Sequence, residues 1–265
     1  MHEGLAAVLD GLGPAAIAVS GGVDSMTLAV FAHRHLRGGH ILMMHATSPA
    51  VPPEATARVR RYADAENWQL TVLDAGEFAD RDYIANPVNR CYFCKTNLYD
   101  AIAKLTDRRI LSGTNTDDLG EYRPGLDAAR KHGVRHPYLE AGIDKAAVRV
   151  LAHRLGLDDL AELPASPCLS SRIETAIAID PVVLAAVHAA ERLVDSRLQP
   201  RIVRCRVRGG GIVIELDSNS LEVLDSRQRS GLVAAVASLF PDAFAETAVA
   251  FAPYTNGSAF LRERT

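Results

Sequence analysis

The chain has 265 residues, 48% hydrophobic and 23% charged, a composition that fits a soluble globular protein and excludes disordered, collagen-like and fibrous classes. Lys plus Arg number 29 against 32 Asp plus Glu, a net charge of −3, which removes the global positive field that drives nonspecific nucleic-acid binding. The 4 cysteines are too few for a disulfide framework, and neither a basic-then-apolar leader nor a membrane-length apolar run occurs, so the expectation is a cytoplasmic protein with no membrane or nucleic-acid partner.

The apolar run 15–19 has strand length, and the stretch from Ser25 to Arg37 has helical spacing of its apolar residues. Further strands are expected at Ile41 to His45, Gln69 to Leu73 and Arg109 to Ser112, with a helix over Glu54 to Glu66. This alternation predicts an α/β fold on a parallel sheet. Asp144 reads as the N-cap of a helix that ends at Gly156, and the proline- and serine-rich stretch Leu163 to Ser171 reads as an ordered loop.

Beyond that loop the pattern changes. A helix around Val182 to Leu193 precedes two short strands, Ile202 to Arg208 and Ile212 to Asp217, then a helix from about Leu221 to Leu239 and a last strand near Thr247 to Ala252. Gly209-Gly210-Gly211 makes the two strands a hairpin, which a purely parallel sheet does not contain. The expected organisation is therefore a parallel-sheet domain over 1–175 and a smaller α+β domain over 176–265.

Ser20-Gly21-Gly22-Val23-Asp24-Ser25 falls at the first strand-to-helix turn, where unpaired backbone N–H groups and the positive helix end converge. Two glycines admit phosphate oxygens close to the backbone, and Ser20 and Ser25 add hydroxyl donors, so the turn reads as an anion site. Neither a Walker lysine nor the third glycine of a dinucleotide fingerprint follows. After the fourth strand comes Gly113-Thr114-Asn115-Thr116-Asp117-Asp118, at a sheet end where ligands of open α/β folds collect. Its acids, with Asp24, are candidate Mg²⁺ ligands; the alternative is an Asx-type turn. Lys145 sits at a helix start, an end that prefers anions, and a bound phosphate would explain it; the alternative is a solvated lysine.

Cys91-Tyr92-Phe93-Cys94 has the spacing for two thiolates to share a metal or cluster, or to form a redox pair. Cys168 lies in Ser166-Pro167-Cys168-Leu169-Ser170-Ser171-Arg172, where Arg172 would lower a thiol pKa. Cys205, between Val203 and Val207 on one strand face, reads as a small buried hydrophobe. On the other face of that strand lie Arg204, Arg206 and Arg208, a candidate grip for a phosphate or else a solvated face.

The hexapeptide at residue 20 resembles the PP-loop of the ATP pyrophosphatase superfamily, whose members split ATP between the α and β phosphates. The stretches 86–95, 114–125 and 166–172, in that order, resemble the LarE family across most of 15–175. That resemblance implies an ATP-dependent sulfur transferase acting on pyridinium-3,5-biscarboxylate mononucleotide in the making of the nickel-pincer nucleotide. It implies ATP and Mg²⁺ bound around Ser20, Gly21, Gly22, Asp24, Ser25, Thr114, Asp117, Asp118 and Lys145, with Lys95 and Arg123 neutralising phosphate charge during adenylyl transfer.

Family members differ in sulfur source. Those with a single cysteine matching Cys168 sacrifice its sulfur, whereas those with two more resemble enzymes holding a 4Fe-4S cluster, and this chain has all three. A structural zinc site and a sacrificial Cys168 beside an unrelated CxxC are the alternatives. The resemblance also implies a homo-oligomer, a nucleotide substrate contacted by Arg172, Arg204 and Arg206, and a downstream nickel-inserting partner. Where the family commonly continues after Ser-Arg-Ile with proline, tyrosine and glycine, this chain has Glu174-Thr175-Ala176. The rivals are a tRNA-thiolating enzyme, disfavoured by the acidic balance, and a nucleotide sensor without turnover.

Overall fold

The computed structural model describes residues 2–36, 40–120, 123–165 and 167–261. The chain divides into two compact units, one comprising Met1–Asp80 and Asn89–Ser166, the other Arg81–Val88 and Pro167–Thr265.

In the first unit, α1 (His2–Asp10) leads into β1 (Ala15–Ala18), α2 (Val23–His35), β2 (Ile41–Ala46), α3 (Pro53–Glu66) and β3 (Leu70–Leu73). The chain then leaves for α4 (Arg81–Ile84), which belongs to the second unit, and returns as α5 (Arg90–Ala103) and β4 (Arg109–Leu111). It closes with α6 (Pro124–Lys131), α7 (Pro137–Glu140), α8 (Lys145–Arg154) and α9 (Asp158–Ala161). The four strands form an all-parallel sheet in the order β3-β2-β1-β4, with Ala15 opposite both Ile41 and Arg109.

Alternation along the strands builds two cores. Ala15, Ile17 and Met43 join α1, α2 and α8 residues such as Leu5, Met26 and Val148 on one face, while Ala16 and Met44 join Tyr99, Ile102 and Ala129 on the other. Small Ala15 and Ala16 on β1 let the flanking helices approach closely, and α2 buries eight of its 13 residues. Asp144 caps α8 through its side chain, which accepts from Ala147 N–H at 2.7 Å. Gly156 follows that helix with φ +74°, the left-handed conformation a helix stop requires.

The second unit carries α10 (Pro181–Leu198), β5 (Val203–Arg208), β6 (Gly211–Leu216), α11 (Ser218–Glu222), α12 (Ser226–Ala237) and β7 (Val249–Pro253). β5 and β6 form the expected antiparallel hairpin, and β7 adds parallel to β6. The buried stripe of α10, including Leu184, Val187 and Val194, faces β5. Residues 81–88 are stitched into this unit: Asn86 Nδ2 donates to the Glu174 and Ile177 carbonyls at 2.8 and 2.9 Å, Ile179 N–H donates to the Ile84 carbonyl at 2.9 Å, and the Tyr83 and Ser170 hydroxyls lie 2.7 Å apart.

Three elements differ in detail from expectation. The single helix over Leu221 to Leu239 is two helices, broken at Val223–Asp225, because Asp225 and Gln228 form a reciprocal capping box that starts α12 afresh. The loop Leu163 to Ser171 ends in a 3₁₀ turn, Leu169–Arg172. Helix α2 begins at Val23, two residues before the expected Ser25, and stops at His35; Arg37 lies outside the described residues, as do Glu121, Tyr122 and Ser166 of the sequence motifs. Among the described residues no helix is long and apolar enough to cross a membrane.

Candidate active site

The sheet order puts β2 and β4 on opposite sides of β1, so the crevice beyond the carboxyl ends of β1 and β4 is the switch point where open α/β sheets take ligands. The Ser20 to Ser25 loop occupies it. Ser20 N–H donates to Ser25 Oγ at 3.0 Å, the two hydroxyls lie 3.0 Å apart, and Ser25 Oγ reaches the Gly22 carbonyl at 3.3 Å. Gly22 caps α2 without any side-chain hydrogen bond, which leaves the first-turn N–H groups directed at the crevice.

Two glycines set the loop's shape. Gly21 adopts φ +81°, and a Cβ there would lie 2.7 Å from the Ala55 carbonyl oxygen. A Cβ on Gly113, just past β4, would lie 2.7 Å from Ser25 N and 2.8 Å from Asp24 C. The β4 loop therefore packs backbone to backbone against the start of α2.

Asn115, 3% exposed, organises the acids. Its Nδ2 donates to Asp24 Oδ1 at 3.1 Å, its backbone N–H donates to Asp118 Oδ2 at 3.1 Å, and its Oδ1 accepts from Asp117 N–H at 3.1 Å. Lys145 Nζ pairs with Asp24 Oδ2, its N–H donates to Asp117 Oδ2 at 3.3 Å, and Arg123 pairs with Asp118 at 2.9 Å. The lysine at a helix start thus answers a carboxylate 121 positions away in sequence. Fully buried Tyr138 donates to the Asp24 carbonyl at 3.2 Å, and burial holds its phenol well above the ordinary range.

Thr114 joins this side through Ser112, whose hydroxyl lies 3.0 Å from Thr114 Oγ1 and 2.8 Å from His136 Nδ1. Burial lowers the His136 pKa, while Glu140 opposes the shift and Lys95 adds to it. Lys95 lies on α5 with Cys91 and Cys94, all within about one helical turn. A Cβ on Gly125 would meet Lys95 Cγ at 3.0 Å, so α6 brings its glycine against that side chain.

In the second unit Cys168 precedes the 3₁₀ turn Leu169–Arg172, and Arg172 donates to the Pro167 and Cys168 carbonyls at 2.7 and 3.2 Å. Arg172, 2% exposed, also pairs with Glu191 at 2.9 Å. Arg206, 4% exposed, pairs with Glu215 at 3.0 Å and donates to the Ser171 carbonyl at 3.0 Å, and Arg208 reaches the same carboxylate at 2.5 Å. Arg204 lies over the Tyr254 ring; burial, followed by the like charge of Arg172, lowers its pKa. On this strand face Arg206 and Arg208 therefore converge on the one buried carboxylate of Glu215.

Cys91, Cys94 and Cys168 are half-buried, whereas Cys205 is buried and burial raises its pKa. Cysteine thiolates are the side chains that ligate iron–sulfur clusters, and they also serve zinc. Among the described residues no three His, Cys, Asp or Glu side chains gather as a ready cage for a metal ion.

Sequence reasoning missed Asn115, Arg58 and His45 as parts of the site. Asn115 lies inside a quoted motif and its type, an amide between acids, is the one signal available. Arg58 Nη1 donates to the Gly21 carbonyl at 2.7 Å, and buried His45 bridges the Val19 carbonyl and Thr56 Oγ1 at 2.8 and 2.9 Å; nothing local marks either residue.

No family model matches the chain. Among individual proteins, an uncharacterised protein of Synechocystis sp. is 40% identical over 60% of each chain, and one of Methanocaldococcus jannaschii is 24% identical over 80% of this chain and 81% of its own length. The pyridinium-3,5-bisthiocarboxylic acid mononucleotide synthase of Lactiplantibacillus plantarum is 31% identical over 80% of this chain and 78% of its own. On that identity and coverage the chain belongs to the family of the pyridinium-3,5-bisthiocarboxylic acid mononucleotide synthases.

Proposed function

We propose that the protein is an ATP-dependent, AMP-forming sulfur transferase that acts on the carboxylates of pyridinium-3,5-biscarboxylate mononucleotide. The observation that carries this reading is the phosphate loop, with its open helix start and backbone-to-backbone support from Gly113. A carboxylate is a poor electrophile because its oxygen is a poor leaving group. In the proposed reaction that oxygen attacks the α-phosphorus and pyrophosphate departs; sulfur then adds to the acyl carbon, and AMP leaves with the oxygen, giving a thiocarboxylate. The sequence repeats at the second carboxylate.

Ser20, Ser25 and the loop N–H groups would hold the phosphates, while Lys95 and Arg123 neutralise charge on the departing pyrophosphate. Mg²⁺ would be held by Asp24 and Asp118, which Asn115 already draws together, with Lys145 and Arg123 giving up part of their pairing. The network of Arg172, Arg204 and Arg206 would take the substrate's own phosphate. Cys91, Cys94 and Cys168 would hold a 4Fe-4S cluster; with three thiolate ligands one iron is open, and such a group supplies labile sulfide without consuming a cysteine. A small-molecule nucleotide, a homo-oligomeric assembly and a nickel-inserting recipient complete the proposal.

The test uses the full chain reconstituted anaerobically with iron and sulfide, then incubated with ATP, Mg²⁺ and the biscarboxylate nucleotide. Expected are substrate-dependent pyrophosphate release, oxygen-to-sulfur exchange in the nucleotide by mass spectrometry, and Cys168 of unchanged mass. Loss of sulfur from Cys168 would replace the cluster with a sacrificial cysteine, and no pyrophosphate would overturn the reading entirely.

A further inference from the structure

Helix α3 meets the phosphate loop at three places. Ala55 fills the space beside Gly21 that a Cβ would need. Thr56 is tied through His45 to the carbonyl of Val19, the residue that enters the loop. Arg58, three positions beyond Ala55 and so on the same helix face, donates to the Gly21 carbonyl at 2.7 Å.

The Arg58 bond fixes a peptide. Across a trans peptide the C=O and N–H point in opposite directions, so holding the Gly21 oxygen against α3 turns the Gly22 N–H the other way. There, among the described residues, it meets Ser20 Oγ at 3.4 Å, a long bond that a phosphate oxygen would readily replace. Free of Arg58, the same peptide could rotate and present its carbonyl, the negative end of the dipole, to an anion. Arg58 is half-buried, and burial followed by the like charge of Arg61 lowers its pKa, a cost to the cation that a polyphosphate in the loop would offset.

We propose that Arg58 is a positioning residue for the β and γ phosphates: it locks the Gly21–Gly22 peptide with its N–H toward the anion and adds a cation behind the loop. The inference rests on the proposed ATP-dependent reading and extends it from the loop to α3. A bound AMP lacks the phosphates concerned, so the effect is selective.

Calorimetric titration of the full chain with ATP and with AMP tests this, using Arg58→Met and Arg58→Lys. Expected for Arg58→Met is an ATP affinity lower by about tenfold or more, the worth of a charge-assisted hydrogen bond, with AMP affinity changed by less than about twofold. Arg58→Lys, which keeps the charge and one donor, recovers part of the ATP affinity. Equal ATP binding by wild type and Arg58→Met, or an equal loss for ATP and AMP as expected of a merely distorted fold, would overturn the inference and leave the functional reading standing. A wild type that binds no ATP would bring down both.

Discussion

Replacing Gly113 with alanine asks whether the β4 loop and the start of α2 are in true backbone contact. The new Cβ would stand 2.7 Å from Ser25 N and 2.8 Å from Ser25 Cα, where ordinary contact begins at 3.4 Å, a shortfall of about 0.7 Å. No flexible side-chain end lies in the way, so the first turn of α2 itself must retreat. Overpacking of this kind costs about 1–3 kcal/mol. With a urea dependence of about 2 kcal/mol per molar, the unfolding midpoint should fall by about 1 M. Trp68, the single tryptophan and 8% exposed in the core of this unit, is the natural fluorescence reporter. A displaced phosphate loop should also slow pyrophosphate release by about 10- to 100-fold, since misplacement near 1 Å is costly for a positioned reaction. A variant with wild-type midpoint and wild-type turnover would refute the close approach and the loop geometry drawn from it.

Glu215→Ala leaves Arg206 buried against a vanished carboxylate and should destabilise the chain by about 3–5 kcal/mol in denaturant titration, with Glu215→Gln less harmful. In the reduced, metal-free protein, iodoacetamide followed by peptide mass spectrometry should label Cys91, Cys94 and Cys168 well before Cys205, whose thiol is buried and pushed up in pKa; equal labelling would contradict its place in the core. Burial lowers the His45 pKa below its ordinary value of 6.5, so its contribution to stability is complete above that pH and is lost on acidification, as the unfolded chain takes up the proton first. His45→Gln should therefore show a shallower loss of urea midpoint between pH 7.5 and 5.5 than wild type, the residue of the slope coming from groups such as His136. An unchanged slope would remove His45 from that role.

The parallel sheet was legible because its strands are short apolar runs between turn signals, and the phosphate loop because strand, glycines and helix coincide in one dozen residues. Helix α5 was not, although it carries the CxxC: its buried residues Arg90, Tyr99 and Ile102 leave no clean apolar stripe, and most of its other side chains are half-buried. The break before α12 was readable in principle, since Asp225 and Gln228 have capping-box spacing, but the apolar residues on either side mask it. At the site, composition points to acids and a lone lysine without saying how they meet. Their arrangement depends on Asn115 and on a pairing between Asp24 and Lys145 that only the folded chain creates. Arg58 and His45 are harder still, for their significance lies entirely in which carbonyl the tertiary structure sets before them.

The detour of residues 81–88 has a bearing on how the chain is made. A ribosome releases these eight residues long before Pro167 to Thr265, the remainder of the unit into which Asn86 and Tyr83 are sewn. They precede β4, the strand that completes the parallel sheet, so the second unit cannot be completed until the chain beyond Pro167 has been made. A gene fragment starting at residue 167 would likewise encode the unit without its stitch, and excision of this half as an autonomous module should yield a chain that lacks the carbonyl partners' donor at Asn86.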